Sequence, residues 1–412
     1  MILYLLGSHP QLGLAELEAC FHKPAVKTQA HLAYQNAISI DTIQKKAPKL
    51  GSIPKIGQLI IDNIALDTPA ISSLADQLSK YSTGKITIGL SFELTGTNLD
   101  SSKKYLKLRS DFSNLLRQEL KKRGRSLRLI YPTKPGQTQL SAASVRLNHL
   151  AINNPKKMEL IVAKAINPDA PPNNLSINKT IFVQDIDSYT ARDRHRPYRD
   201  ARNGMLPPKL AQTMLNLALS ASPHSNLAKL NVLDPFCGTG VVLMEAALNG
   251  ANVYGSDINE RMVKNTIGNL NWLAKTYHQP INYQIETGDA TSHHWQLLGD
   301  SSINLVVSEM YLGEPVRDNT PLDKITASQQ TCQNILVKSL QNIDQQLPPD
   351  AAICLAIPFW HQPNNNSASS DIHLDLTNIT DKTNLLEQPN SRLCYRHPGQ
   401  YVGRELLIFA KK

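Results

Sequence analysis

Apolar side chains recur along this chain in two different rhythms. In the first half, short strands and helices follow one another irregularly. Ile2–Leu6 is an unbroken apolar run and predicts a buried strand. After Ser8, the positions Leu12, Leu14, Leu17 and Ala19 predict a helix. Helical spacing returns over Ile71–Leu78 and Asp111–Lys122, where Phe112, Leu115, Leu116 and Leu120 share one face. Alternation over Lys85–Leu94 predicts a strand, and Ser126–Ile130, Glu159–Ile166 and Thr180–Asp185 predict others. Pro168–Asn174 holds too many prolines for a helix or a central strand.

From Pro207-Pro208 onward the rhythm is regular. Helix Lys209–Leu219 leads to a short strand at Asn231–Leu233, then helix Val241–Leu248 and strand Asn252–Gly255. Helix Met262–Leu273 follows, then strands Tyr283–Glu286 and Ile303–Val307, helix Ala327–Leu340, and strands Ala351–Ile357 and Glu405–Ala410. Strands and helices in this alternation predict a doubly wound, mostly parallel sheet. Gln362–Ser370 is a low-complexity loop inserted late in it, and Arg396–Glu405 predicts a hairpin turn beside the last strand. The expected organisation is an α+β segment over 1–64, an α+β module over 65–170, a linker over 171–205 and a doubly wound domain over 206–412.

Composition narrows the class without naming it. With 412 residues, 41% hydrophobic and 19% charged, the chain can bury two or three cores and is not a disordered polymer. The longest nearly apolar run, Ala351–Trp360, is half of the roughly 20 residues a spanning helix needs. Met1–Leu6 has neither a basic region before it nor a cleavage site, so no secretory signal is expected. Five widely spaced cysteines suit a reducing cytoplasm better than a disulfide framework, and no metal site is expected from them or from the histidines.

Charge is divided unevenly. Residues 1–200 carry 28 Lys and Arg against 16 Asp and Glu, whereas residues 201–412 carry 15 against 18. Eleven of the basic residues lie between Lys103 and Lys134, opposed only by Asp111 and Glu119. Such a one-signed stretch attracts polyanions, and Lys121, Lys122, Arg123, Arg125 and Arg128 are candidate phosphate contacts. Few aromatics interleave with them, which favours backbone contact over base stacking. Arg192, Arg194, Arg196, Arg199 and Arg202 form a second basic run; Arg194 and Arg196 are candidate RNA contacts, with pairing to Asp193 and Asp200 as the alternative.

The candidate chemistry lies where predicted strands end. Asp234-Pro-Phe236-Cys-Gly238-Thr-Gly240 joins a strand to a helix, and its two glycines permit close approach of a ligand to backbone. Asp257, at the end of the next strand, is positioned for a ribose diol, an arrangement that also fits a dinucleotide. Two features favour a different ligand. The third glycine of a dinucleotide loop is replaced by Val241-Val242-Leu243, and Asp234 repels a pyrophosphate but suits the ammonium of S-adenosylmethionine. By the same logic Asp289 is a candidate for the adenine amino group, with Ile258 and Ala290 as apolar walls and Phe236 within the loop.

These motifs, with Gly255-Ser-Asp-Ile258, Gly288-Asp-Ala290 and the turn Ser308-Glu309-Met310-Tyr311, resemble the amino-directed S-adenosylmethionine methyltransferases. More narrowly, MILYLLGSHPQLGLAELEA and QDIDSYTARDRHRPYRDARNGMLPPKLAQTMLNLA are similar to segments of the THUMP-containing tRNA guanosine N2-methyltransferases that act at position 10. The resemblance covers most of the chain, above all 180–312 and 394–409. It implies an α/β protein: a Rossmann-like doubly wound methyltransferase domain preceded by a basic, THUMP-like α+β region. It further implies S-adenosylmethionine as cofactor, tRNA as partner, and neither metal nor membrane. The family ends its fourth strand with Asp or Asn, two prolines and an aromatic. Here Tyr311 matches the aromatic, Ser308 or Glu309 takes the place of the amine acceptor, and both prolines are absent. An RNA-binding protein with an inactive domain and a DNA amino-methyltransferase are the alternatives.

Overall fold

The computed structural model describes residues 1–80, 84–94, 102–134, 136–151, 154–167, 169–200, 205–296, 302–317, 320–361, 371–377, 379–389 and 391–412. The low-complexity loop expected over Gln362–Ser370 lies outside them, as does Arg202. The chain forms two compact units, 1–48 with 53–186, and 187–412 with Lys49–Ser52.

The first unit is built on one sheet. Its strands are β1 (Ile2–Leu5), β2 (Val26–Gln29), β3 (Leu32–Gln35), β4 (Lys55–Ile64), β5 (Lys85–Glu93), β6 (Ser126–Ile130), β7 (Lys157–Lys164) and β8 (Leu175–Val183). They lie in the order β2-β3-β1-β4-β8-β7-β5-β6, with β5 parallel to both β6 and β7 and the other pairs antiparallel. The helices are α1 (Pro10–Phe21), α2 (Ile40–Lys46), α3 (Thr68–Ser79), α4 (Ser102–Lys122) and α5 (Ala142–Leu147). α1 begins at a proline with His9 as its cap, so Ser8 does not serve as the cap. α3 and α4 pack on the sheet, and Phe92 meets Tyr105 and Phe112 edge-on at 5.5 and 6.2 Å.

Part of the linker expected over 171–205 belongs to the sheet, since Leu175–Val183 forms β8. β8 lies between β4 and β7 inside the sheet, and the sheet also runs across the expected boundary at 64–65. Polar side chains of β8 find partners inside the sheet: Asn178 Nδ2 donates to the Tyr34 hydroxyl and Thr180 Oγ1 to Glu159. Glu159, fully buried, also accepts from Lys55 Nζ at 2.6 Å and Ser91 Oγ at 2.6 Å. A buried charge is tolerated when its lone pairs are filled in this way, and here it joins four strands.

The second unit begins with α6 (Ile186–Thr190) and a π-helical turn over Ala191–His195. α7 (Pro208–Ser220), α8 (Val241–Leu248), α9 (Glu260–Tyr277), α10 (Leu322–Gln346) and α11 (Ile379–Lys382) alternate with or flank the strands. These are β9 (Asn231–Asp234), β10 (Asn252–Asp257), β11 (Tyr283–Thr287), β12 (Leu305–Glu309), β13 (Ala352–Trp360), β14 (Leu385–Glu387), β15 (Leu393–Tyr395) and β16 (Val402–Lys411). Their order is β11-β10-β9-β12-β13-β16-β14, with β15 also on β16. The first five are parallel and β16 runs against its neighbours. This is the doubly wound, Rossmann-like sheet. Every residue of β13 is buried, as a central strand covered on both faces requires. β10 lies on one side of β9 and β12 on the other, so the strand order reverses at β9. At such a reversal, open α/β sheets take ligands in a crevice outside the carboxyl ends of the strands. No described helix is long and apolar enough to cross a membrane.

Candidate functional site

The glycine loop follows β9, at this reversal of strand order. Gly238 and Gly240 have φ of +52° and +79°, in the left-handed region where a side chain is strained. A Cβ on Gly240 would also lie 2.8 Å from Thr266 Cγ2. α9 clamps this loop from behind. Thr266 Oγ1 donates to the Gly238 carbonyl at 2.8 Å, and Asn269 Nδ2 donates to the Thr239 carbonyl at 2.8 Å. Both side chains are fully buried. Sequence reasoning missed them, although a Thr and an Asn three residues apart on the apolar face of an amphipathic helix are a visible irregularity. Gly240→Ala is expected to destabilise the second unit by about 2 kcal/mol and to weaken ligand binding at the crevice, measurable by denaturant unfolding and calorimetry.

Asp257 closes the loop from the side. Its Oδ2 accepts from Gly238 N and its Oδ1 from Asn259 N, both at 2.9 Å. Partial burial raises its pKa. The adjacent Ile258 is 72% exposed, an aliphatic side chain left open beside an acid. Phe236 is half-buried and Cys237 is buried as a small packed residue. Asp289 is exposed and makes a local turn, accepting at Oδ1 from Thr291 N at 2.9 Å and Oγ1 at 2.8 Å. Ala290 behind it is buried, and its carbonyl accepts from Asn342.

Asp234 differs from the expectation. It is 2% exposed and sits under the floor, where Oδ1 accepts from Ser308 Oγ at 2.5 Å and from Phe236 N at 3.2 Å. Burial pushes its carboxyl up to about 7, and the charges of Asp257 and Glu309 push in the same direction. The acids ending β9, β10 and β12 are therefore gathered into one electrostatic cluster.

Ser308 is the other end of that bond. It is fully buried, with its hydroxyl donating to Asp234. Side chains alternate along a strand, so the next residue, Glu309, turns to the other face. There it pairs with Arg404 of β16. The two side chains are 16% and 5% exposed, and burial raises the Glu309 pKa in spite of the guanidinium. Tyr311 lies beyond, 40% exposed, donating to Glu314 Oε1 at 2.9 Å. Its hydroxyl is pushed up to about 12, by burial first and then by Glu314. The absent prolines are replaced by anchors. Met310 N bonds to the Ala356 carbonyl, and Gly313 turns at φ +83° over α10. Ser328 Oγ and Cys332 Sγ of that helix hold Glu314 N and the Tyr311 carbonyl.

The basic candidates divide into free and committed groups. Lys121, Lys122 and Arg128 are exposed, with Lys122 paired to Glu119, and Arg125 is half-buried against the Ser79 carbonyl. Arg123 is structural, since its guanidinium is spread over Asp76, Glu119 and Ser72. Arg194 is exposed, whereas Arg196 is 2% exposed and not available to a phosphate. Arg192 is also buried, in a two-pronged pair with Glu245 at 2.5 and 3.1 Å.

Residues 226–388 match the family model described as a methyltransferase domain. The chain is 30% identical over 170 residues to the tRNA (guanine(10)-N2)-dimethyltransferase of Methanothermobacter thermautotrophicus, covering 41% of this chain and 43% of that protein. It is 41% identical over 96 residues to the enzyme of the same name from Pyrococcus abyssi, 23% and 25% of the two chains. The matched stretches thus span less than half the length of these curated relatives. Two solved structures share the fold at a TM-score of 0.50. One is a predicted N6-adenine-specific DNA methylase from Listeria monocytogenes, 9% identical over 98% of this chain and 95% of that one. The other is SMU.472, solved with SAH, 10% identical over 100% and 98%.

Proposed function

We propose that this chain, through its methyltransferase domain, moves a methyl group from S-adenosylmethionine to the exocyclic N2 of guanosine 10 in tRNA. The observation that carries the reading is the gathering of Asp234, Asp257 and Glu309 around a glycine loop at the reversal of strand order, with an open aromatic ring at its edge. The donor set fits the cofactor. Asp257 meets a ribose diol, Ile258 offers an apolar wall to adenine, and the acidic cluster favours a cation over a phosphate. Bound there, S-adenosylmethionine supplies an electrophilic methyl carbon. The Tyr311 ring stacks on a base drawn out of its helix, and Glu309 beside it accepts from the amine and takes the proton the nitrogen loses. Its raised pKa keeps the carboxylate basic enough for that task, and Arg404 holds it in place.

The first unit, read as a THUMP-like module, supplies a phosphate-binding face from Lys121, Lys122 and Arg128, with Arg125 at its margin. Replacing Lys121, Lys122 and Arg128 together by alanine is expected to weaken tRNA binding about tenfold at low salt. The dependence of log affinity on log salt flattens by about 2, as read by fluorescence anisotropy. An unchanged slope would remove this face from the interface.

Commitment of Ser308 to Asp234 and of Glu309 to Arg404 also favours a second reading, a protein that binds RNA and cofactor without transferring the methyl group. Incubation of the full chain with methyl-labelled cofactor and unmodified tRNA separates the two. Label in N2-methylguanosine at position 10 supports the enzyme. Retained tRNA and cofactor affinity without label leaves only binding, and label in duplex DNA in preference to tRNA points to a DNA amino-methyltransferase.

A further inference from the structure

Tyr198 is an exposed aromatic residue that the fold holds still. It is 44% open to solvent, in the arginine-rich segment at the start of the second unit. Its ring lies against Gly268, in the interior of α9. A Cβ on that glycine would come 2.2 Å from Tyr198 Cε2 and 2.8 Å from Cδ2. One side chain pins the backbone at both polar atoms. Tyr198 N donates to Asn269 Oδ1 at 3.0 Å, and Asn269 Nδ2 donates to the Tyr198 carbonyl at 2.9 Å.

Both devices are unfavourable in isolation. Glycine weakens a helix interior, and here the ring takes the space in which a side chain at 268 would stand. Asn269 is a fully buried polar residue on the apolar face of α9. A tyrosine that only fills surface needs neither. Asn269 Nδ2 also donates to the Thr239 carbonyl, so the same side chain fixes Tyr198 and the glycine loop. The ring is thereby held in register with the loop.

The charge around the ring suits a polyanion. Arg194 and Arg199 are exposed. On α9, Lys264 stands one turn before Gly268 and Arg261 one turn before Lys264. Lys264 pairs with Glu260 at 2.6 Å and Arg261 with Asp200 at 3.5 Å, but the two basic side chains are 71% and 70% exposed. Ion pairs this open are weak and give way to a phosphate. A flat aromatic face among cations matches an unpaired nucleotide, whose base stacks while its phosphate is neutralised. A paired helix stacks its bases on one another and offers the ring nothing.

We propose that Tyr198 is a stacking platform for an unpaired base of the RNA substrate, other than the base that receives the methyl group, with Arg199 and Lys264 at the adjoining phosphates. This rests on tRNA being the substrate. It goes beyond that reading by giving the catalytic unit its own hold on the RNA, tied through Asn269 to the glycine loop.

The test uses the full chain, with an unmodified tRNA transcript and a blunt RNA duplex as probes, read by fluorescence anisotropy. Tyr198→Leu keeps an apolar side chain against Gly268 and removes the ring. It is expected to weaken tRNA binding about tenfold and to leave duplex binding, and calorimetric affinity for S-adenosylmethionine, unchanged. Its dependence of log affinity on log salt stays that of the wild type, because stacking releases no counterions, whereas Arg199→Ala flattens it by about 1. In methyl transfer KM for tRNA rises by about the same factor with kcat nearly constant, and Tyr198→Phe, which keeps the ring, behaves as the wild type. If Tyr198→Leu loses cofactor affinity, Gly268→Ala is read instead. It favours the helix and displaces the ring, and the same selective loss of tRNA binding is expected. Wild-type tRNA affinity in the variant read, equal weakening of tRNA and duplex, or an equal loss in Tyr198→Phe overturns the platform alone. A wild-type protein that binds no tRNA overturns the RNA reading with it.

Discussion

Asp234→Asn is expected to raise the melting temperature at pH 8 by about 5 °C or more and to leave it nearly unchanged at pH 4. Burial and two neighbouring acids lift this carboxyl from an ordinary 3.8 to about 7 in the folded protein. Its folded pKa is raised, so the folded state binds the extra proton. The carboxyl costs nothing below about pH 4, the penalty grows as pH rises through the interval, and it is complete above about 7. A displacement of that size corresponds to about 4 kcal/mol. Asparagine keeps an oxygen for Ser308 and Phe236 N and removes the charge. The same change is expected to reduce discrimination between ligands. Wild-type preference for S-adenosylmethionine over S-adenosylhomocysteine, which lacks the sulfonium charge, increases several-fold from pH 6 to pH 8, and in the variant it stays flat. Scanning calorimetry at the two pH values and titration with the two ligands check both halves. A variant that melts lower at pH 8 than the wild type would contradict the buried-charge account.

Glu309→Gln is expected to reduce methyl transfer by about 100- to 1000-fold with little change in cofactor affinity. The amide retains the shape of the carboxylate and one acceptor, but cannot take the proton that the target nitrogen loses. It also leaves Arg404 buried without its counter-charge, so a lower melting temperature accompanies the loss. Single-turnover rates measured with saturating cofactor separate the chemical defect from instability. If Glu309→Gln transfers at the wild-type rate, the proton leaves by another route and Glu309 is only a structural partner of Arg404. Tyr311→Leu serves as the companion. It retains an apolar side chain and removes the ring and the bond to Glu314, so it is expected to weaken RNA substrate binding more than cofactor binding.

Much of the second unit was legible from local pattern. β9, α8 and β10 fall where the apolar runs and the glycine loop predict them. Helices proved longer than expected: α4 starts at Ser102 and α10 spans Leu322–Gln346, because the apolar stripe continues through Tyr105 and Leu108 in one and Ile325 and Ile343 in the other. β8 was the main error. Only Thr180–Asp185 reads as strand in the sequence, whereas β8 starts at Leu175, because the sheet supplies Tyr34 and Glu159 as partners for Ser176, Asn178 and Thr180. Arg194 and Arg196 read as RNA contacts or as partners of Asp193 and Asp200, yet Arg192 and Arg196 are buried, with Glu245 and the backbone of Arg192 next to them in space.

The amino-acid sequence by itself determined the order of elements, the glycine loop, the acids at the strand ends and the exposed aromatic of the turn. Each of these depends on residue type and on periods of two or 3.6, which act over a few neighbours. Only the tertiary structure decided what each acid faces. Ser308 and Glu309 are adjacent, yet one is held by Asp234 and the other by Arg404, 95 residues further on. The reason is the pleat together with the strand order. Alternate side chains leave opposite faces of β12, and what they meet there is set by which distant strands lie alongside, a fact no local pattern contains.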